Sequence, residues 1–295
     1  MTEKDILWPV KKFEVQNFWS DSTIWNDFQF RHDDIIINTY SKSGTTWTQQ
    51  IVSQLIFNRQ ENINISRISP WLDFRLNAES FGSKEKLLQT LENQTHRRCI
   101  KTHLSLDALV FSPKAKYIYV GRDGRDIACS LYNHLVNLIC DGHAKPQSIQ
   151  EIFQNQILST SETSFFAHIR SWWNIRHLPN VLIVHFNQLK KDLPSEIKRI
   201  AKFLQIETED LHCDTITEHC SFNYMKMNAE NFIENKYFID GAKTFFYQGT
   251  NERWKNVLSD EECQSYEKRA IEELGKEGAR WLATGELEDA KQADQ

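Results

Sequence analysis

The hydrophobic pattern along this chain alternates between two periods. Short apolar runs at 35–37, 98–100, 115–120 and 181–186 are bounded by polar residues, as buried strands are. Between them, apolar residues recur three and four apart. Ile51, Val52, Leu55 and Ile56 predict a helix over 45–58, and Ile127, Leu131, Leu135 and Leu138 predict one over 124–138. Helices are also expected over 83–91, 148–158, 161–177, 189–204 with Pro194 in a first turn, 208–218, 221–228 and 259–275. An aromatic arm with a short helix occupies about 1–34, and the acidic end, from about 283, is expected to fray. Residues 59–80 sustain no period and contain the proline-broken segment Ser69-Pro70-Trp71-Leu72-Asp73-Phe74; residues 231–251 mix aromatic, glycine and polar residues.

Strands alternating with helices predict an α/β fold: a parallel sheet with helices on both faces, in a single domain over 1–295, with no internal repeat or linker. Ligands of such sheets bind outside the carboxyl ends of the strands. Polar clusters fall at three of those ends: Lys42 after the first strand, Lys101-Thr102-His103 after the second, and Arg122 after the third.

The first of these is the stretch Thr39-Tyr40-Ser41-Lys42-Ser43-Gly44-Thr45-Thr46-Trp47, a strand-to-helix turn. Unpaired N–H groups and the helix dipole make such a turn an anion site. Lys42 adds a cation, Ser43, Thr45 and Thr46 add donors, and Gly44 allows close backbone approach. It is not a nucleoside-triphosphate P-loop, because the lysine precedes the glycine and no glycine opens the loop. Taken alone, the turn also fits a place where Thr45 merely caps a helix and Lys42 sits in solvent, the lesser of the two readings.

Composition narrows the classes. With 40% hydrophobic and 25% charged residues the chain is an ordinary soluble globular one, and its net charge of −5 gives no reason to expect a nucleic-acid partner. The six cysteines are scattered without a C-x-x-C pair, so neither zinc nor a disulfide framework is expected. No apolar run suits a signal peptide or membrane span; the expectation is a cytoplasmic protein with no membrane partner. Lys42, Lys101, Arg122 and helix-terminal N–H groups together suit a multiply anionic ligand. His103, beside these cations, is kept neutral and is a candidate general base.

These motifs resemble those of the cytosolic-type sulfotransferases, which move a sulfuryl group from 3′-phosphoadenosine 5′-phosphosulfate (PAPS) to a hydroxyl or amine. Residues 39–47 are similar to that family's phosphosulfate loop T-Y-P-K-S-G-T-T-W, with Ser41 in place of proline. Lys101-Thr102-His103 matches its K-T-H segment, and Arg122 with Ser130 eight residues on matches its 3′-phosphate signature. Cys220-Ser221-Phe222 with Met225 is similar to its adenine segment T-S-F-x-x-M. The resemblance covers nearly the whole chain, in order. It implies a P-loop-like phosphosulfate turn after the first core strand and PAPS as sulfuryl donor, with no metal. It also implies His103 as base, Lys42 and Lys101 stabilising the transferring group, and Ser130 beside the 3′-phosphate. Lys42, Ser43, Gly44, Thr45 and Thr46 would hold the 5′ end. Trp47, Ser221, Phe222 and Met225 would hold adenine, and Arg122, Ser130, Tyr247, Gln248 and Gly249 the 3′-phosphate.

Three departures stand out. The family's R-K-G-x-x-G-D-W-K reads here as 247–255 with Tyr247 and Gln248 in place of the basic pair. Charged hydrogen bonds are roughly twice as strong as neutral ones, so weaker donor binding or a compensating cation, Arg253 or Lys243, is expected. The tyrosine that follows strand four in the family is Phe186. The dimer motif is only echoed from Lys255, leaving monomer or homodimer open. The acceptor, a small aromatic or lipophilic hydroxyl or amine compound, is expected against Phe18, Trp71, Phe74, Tyr132 and Phe165. Two alternatives stand beside this reading: a P-loop kinase, which needs a Walker-B-like aspartate, and a sulfotransferase-like nucleotide-binding protein with lost or altered catalysis.

Overall fold

The computed structural model of the protein describes residues 6–58, 60–76, 81–207 and 212–287. At its centre lie four parallel strands, β1 (Ile35–Thr39), β2 (Cys99–Thr102), β3 (Lys116–Gly121) and β4 (Val181–His185), in the order β2-β1-β3-β4. Ile36 lies opposite both Ile100 and Tyr117, and Gly121 opposite His185. From β1 the chain moves one way, to β2; from β3 it moves the other way, to β4. The crevice between the carboxyl ends of β1 and β3 is therefore the switch point where ligands of open α/β sheets bind.

Side-chain alternation sorts the sheet's faces. Ile35 and Ile37 with Ile118 and Val120 face a cluster completed by α2 (Thr45–Ile56) and α9 (Leu193–Leu204). Ile36, Tyr117 and Tyr119 face the other cluster, built with α5 (Gly124–Asn137), α7 (Phe165–Trp173) and α12 (Asp260–Thr284). The arm carries the short α1 (Ile24–Asp27), with Trp25 and Phe28 buried against this second cluster. At the amino ends of the strands, buried Arg98 forks onto Asp34 (2.7 and 2.6 Å) and donates to the arm through Gln29 O at 2.7 Å.

The remaining helices depart from the sequence expectation mainly at their ends. α3 (Ile65–Ile68) forms inside the aperiodic stretch, and α4 (Lys84–Glu92) is capped by Ser83. The helix expected over 148–158 splits into α6 (Ile149–Ile152) and a π-helical turn, Phe153–Ile157. The one expected over 189–204 starts earlier as α8 (Phe186–Lys191), breaks at Asp192, whose carboxylate caps Ser195 N, and continues as α9. Strand four therefore ends at His185, and Phe186 opens a helix. α10 (Cys213–His219) and α11 (Phe222–Met227) follow; 208–211 lie outside the described residues. The final helix corrects the expected end at 275: it bends at Gly275 (φ 70°, ψ 174°) and resumes through Thr284, seating Trp281 in the core. Glycine is a poor helix former, but burial of Trp281 and Leu282 offsets the break. Residues 283 and 284 are thus helical rather than frayed, and 288–295 lie outside the described residues.

Candidate active site

The turn after β1 is wound by left-handed backbone at Lys42 (φ 68°) and Gly44 (φ 106°). A Cβ at Gly44 would stand 3.0 Å from the Phe186 ring, so both conformation and space call for glycine. α2 then opens with Thr45, and its first-turn N–H groups have no partners within the helix. Ser43 is fully buried and its Oγ has no hydrogen-bond partner. Such an orphaned donor suits an anion that the turn receives.

Three strand ends converge here. Thr39 O accepts from His103 Nδ1 at 2.8 Å. A carbonyl only accepts, so Nδ1 carries the proton and Nε2 keeps the lone pair. Thr39 Oγ1 reaches Thr45 Oγ1 at 2.7 Å, joining the strand end to α2. Burial and then the charge of Lys101 push the His103 pKa well below the ordinary imidazole value. Lys42 is brought down to about 7 by burial, then by Lys101 and Arg122. Lys101 is brought down to about 8 by burial, with Asp73 opposing. Arg122 is buried; its guanidinium donates to Lys42 O at 2.9 Å and lies 4.0 Å over the Phe186 ring. Phe186 thus wedges between Arg122 and Gly44, a packing role that needs no hydroxyl.

Sequence reasoning did not single out His134, Asp73, Phe245 or Lys190. Lys42 Nζ donates to His134 Nδ1 at 3.3 Å and lies 4.2 Å from the Phe245 ring centre. His134 is one helical turn past Ser130, a spacing that places both on one face of α5 and was a readable signal. Asp73 is buried behind β2, where it accepts from Trp25 Nε1 at 2.8 Å, from Trp71 Nε1 and from Thr102 Oγ1. Burial raises it to about 6.

The expected nucleotide residues gather at one end of this cleft. Trp47 Nε1 donates to Cys220 O at 2.7 Å, which ties α2 to the start of α11. Phe222 is partly exposed, and a Cβ at Gly249 (φ 63°) would stand 2.7 Å from its ring. Ser221 Oγ caps α11 by accepting from Tyr224 N at 3.2 Å, and Met225 is buried beneath. Ser130 is half-buried on α5, while Tyr247 and Gln248 are exposed. Arg253 lies over the Tyr247 ring, and Lys243 is exposed.

The aromatic residues expected around an acceptor divide. Trp71 meets the His103 ring edge-on at 4.7 Å and stacks on Phe74 at 4.6 Å. Phe74 stacks on Trp19, and Trp19 meets Phe18. These four rings form a row from the arm to His103. Tyr132 is half-buried against the main core. Phe165 does not belong to the row: it is fully buried between Phe166, Tyr266 and Tyr40, where helix α7 packs on α12. A ring at helical spacing is core more often than wall, and here the core claims it.

The sulfotransferase-domain family model matches residues 32–278. The chain belongs to the sulfotransferase family. This enzyme is 30% identical to a glycolipid sulfotransferase of Mycobacterium tuberculosis, over 85% of this chain and 88% of the relative. It is also 30% identical to sulfotransferase 1E1 of Homo sapiens, over 83% and 86%. Its fold is that of mouse sulfotransferase SULT7A1, solved in complex with PAP: TM-score 0.69, 24% identity, 88% of this chain and 92% of the other covered. The family assignment removes the P-loop kinase alternative. No helix of this sulfotransferase, among the described residues, is long and apolar enough to cross a membrane.

Proposed function

We propose that this chain transfers the sulfuryl group of PAPS to a hydroxyl, or an amine, of a small aromatic or lipophilic acceptor. The observation that carries this reading is one juxtaposition. A neutral imidazole, two desolvated lysines and an arginine meet at the carboxyl ends of three adjacent parallel strands, beside a helix-opening turn. The orphaned Ser43 Oγ and the buried, unpartnered Arg122 Nε fit a ligand with phosphate groups at both ends of the turn. Trp47 and Phe222, linked through Cys220, offer aromatic faces for adenine. The PAP bound to the mouse relative supports the same donor.

When bound, PAPS supplies the activated sulfuryl group; the chain's own residues supply position and charge. His103 Nε2 takes the acceptor proton, while Thr39 O holds the ring in the required tautomer. Lys42 and Lys101 place positive charge where negative charge accumulates, in a desolvated setting that strengthens it. Ser130 and Arg122 anchor the 3′ end, and the turn with Thr45 and Thr46 anchors the 5′ end. The row Phe18, Trp19, Phe74 and Trp71 guides an apolar acceptor toward His103. The relative named for a glycolipid substrate supports a lipophilic acceptor class. The whole chain, 1–295, serves as one domain. The free cysteines among the described residues fit a reducing, cytoplasmic setting.

Binding calorimetry tests the donor assignment. PAP should bind at least a hundredfold tighter than ATP with Mg²⁺. ATP binding as tightly as PAP, or neither nucleotide binding, contradicts it.

A further inference from the structure

The pair Tyr247 and Gln248 carries no charge, although the positions it fills face the 3′-phosphate in the reading above. Three other cations reach this corner: Lys226 donates to Tyr247 O at 3.3 Å on the Phe222 side, and Arg122 and Lys190 hold the loop after it. Arg122, 6% exposed, donates to Lys42 O at 2.9 Å, Thr250 O at 3.3 Å and Asn251 Oδ1 at 2.8 Å, and its Nε–H has no partner. From the opposite side, Lys190 on α8 donates to Gly249 O at 2.6 Å. One turn earlier on α8, Asn187 Oδ1 accepts from Asn251 Nδ2. The loop 249–251 is thus clasped between Arg122 and Lys190, both bonded to neutral carbonyl oxygens.

Two neighbouring cations resting on neutral oxygens are a poorer match than the same cations on a phosphate, because a charged acceptor roughly doubles the strength of each bond. The two feel each other: burial first, then the Arg122 charge, lowers the Lys190 pKa. Two carboxylates are close. Asp126 accepts from Glu252 N at 2.6 Å, and Asp123 is forked by Arg125, so neither pairs directly with Lys190. Lys243 has no such placement. Arg253 is turned onto the Tyr247 ring and contributes field rather than a contact to this loop.

We propose that Lys190, acting with Arg122, is the cation that holds the 3′-phosphate of the donor nucleotide in this chain, replacing the basic pair absent at 247–248. This rests on the reading of the chain as a PAPS-dependent enzyme. Lys190 sits at the far end of a short helix that starts directly after β4, so the sheet itself fixes its distance from Arg122. The assignment explains how a chain with neutral residues in its C-terminal segment retains a charged clamp.

Calorimetry with PAP and with adenosine 5′-phosphate, which lacks the 3′-phosphate, separates the possibilities in the intact chain. Lys190→Gln should weaken PAP about tenfold, the scale of one lost charge-assisted bond, and leave adenosine 5′-phosphate within about twofold. Lys190→Arg should keep most of the PAP affinity, and Lys191→Gln, its neighbour on α8, should change neither ligand. Unchanged PAP affinity in Lys190→Gln, or equal loss for both nucleotides, overturns the role of Lys190 while leaving the donor assignment standing. Wild-type protein that binds neither nucleotide overturns the donor assignment itself, and the role of Lys190 with it.

Discussion

A general base works only while its nitrogen keeps a lone pair, and His103 is built to keep it. Burial beside Lys101 holds the imidazole neutral, and Thr39 O fixes which nitrogen is bare. His103→Ala should therefore lower kcat by about 10²–10⁴-fold, the usual share of general-base catalysis, with PAP affinity by calorimetry unchanged. Loss of PAP binding in that variant would point to a structural role. The pH profile should carry the signature of Lys42 instead. With its pKa at about 7 in the free enzyme, Lys42 loses its proton as pH rises through that value, so kcat/KM should decline above about 7. His103 adds no acid limb near 6.5. Lys42→Arg should move the decline from about 7 to about 8, because arginine does not titrate in this range and Lys101 does; a rising limb centred near 6.5 would contradict both assignments. Lys42 also costs stability. Its pKa falls from 10.5 to about 7 on folding, so between those values the unfolded chain binds more protons and stability rises with pH. Replacing this half-buried, desolvated cation, Lys42→Met, should stabilise the fold at pH 6 by about 1–2 kcal/mol while abolishing turnover. Thermal melts at pH 6 and pH 9 check the sign, since the gain must shrink at the higher pH.

At the scale of elements, the turn between β1 and α2 depends on backbone that only glycine adopts cheaply. Gly44→Ala forces a side chain into φ 106° and toward Phe186, and should cost about 1–2 kcal/mol and weaken PAP binding together. Phe186→Ala should recover space but not the backbone strain, which separates the two causes in a melt of the double variant. Most of this element was legible in the sequence, because Ile35-Ile36-Ile37 and the spacing of Ile51 and Leu55 mark a strand and a helix flanking Lys42. His134's place on the Ser130 face of α5 was readable too, but the contacts of His134 and Phe245 with Lys42 were not. His134 and Phe245 come to it from α5 and from the irregular stretch 231–251, and no local period encodes a contact between segments so far apart. Phe165 illustrates the reverse error: its helix was readable, but which side of it faced the core depended on packing against Tyr266 of α12 and Tyr40 beside the turn, contacts that no local period encodes.

Across the whole molecule, the site's precision depends on how firmly the sheet's other end is fastened. Arg98 and Asp34, both buried, join β1, β2 and the arm at the amino ends of the strands, opposite the chemistry. Asp34→Ala leaves the buried Arg98 with only the exposed Glu92 carboxylate, at 3.3 Å, as a charged partner and should destabilise the protein by about 3–5 kcal/mol, read as a lowered urea midpoint, with no change in which nucleotide binds. The parallel order β2-β1-β3-β4 does the rest. It puts Lys42, His103 and Arg122 on one rim although 80 residues separate the first from the last. The measurement that most directly tests this arrangement as a sulfotransferase follows radiolabelled sulfuryl from PAPS into a panel of phenols and lipophilic alcohols, in a chelator-containing buffer, for the wild type and His103→Ala in parallel. The structure predicts labelled product and stoichiometric PAP with the wild type when an acceptor is present, and both at least about a hundredfold slower with the variant. Wild-type protein that binds PAP yet transfers no label to any acceptor, or a variant that transfers at the wild-type rate, would contradict the assignment of His103, Lys42 and Lys101 to catalysis.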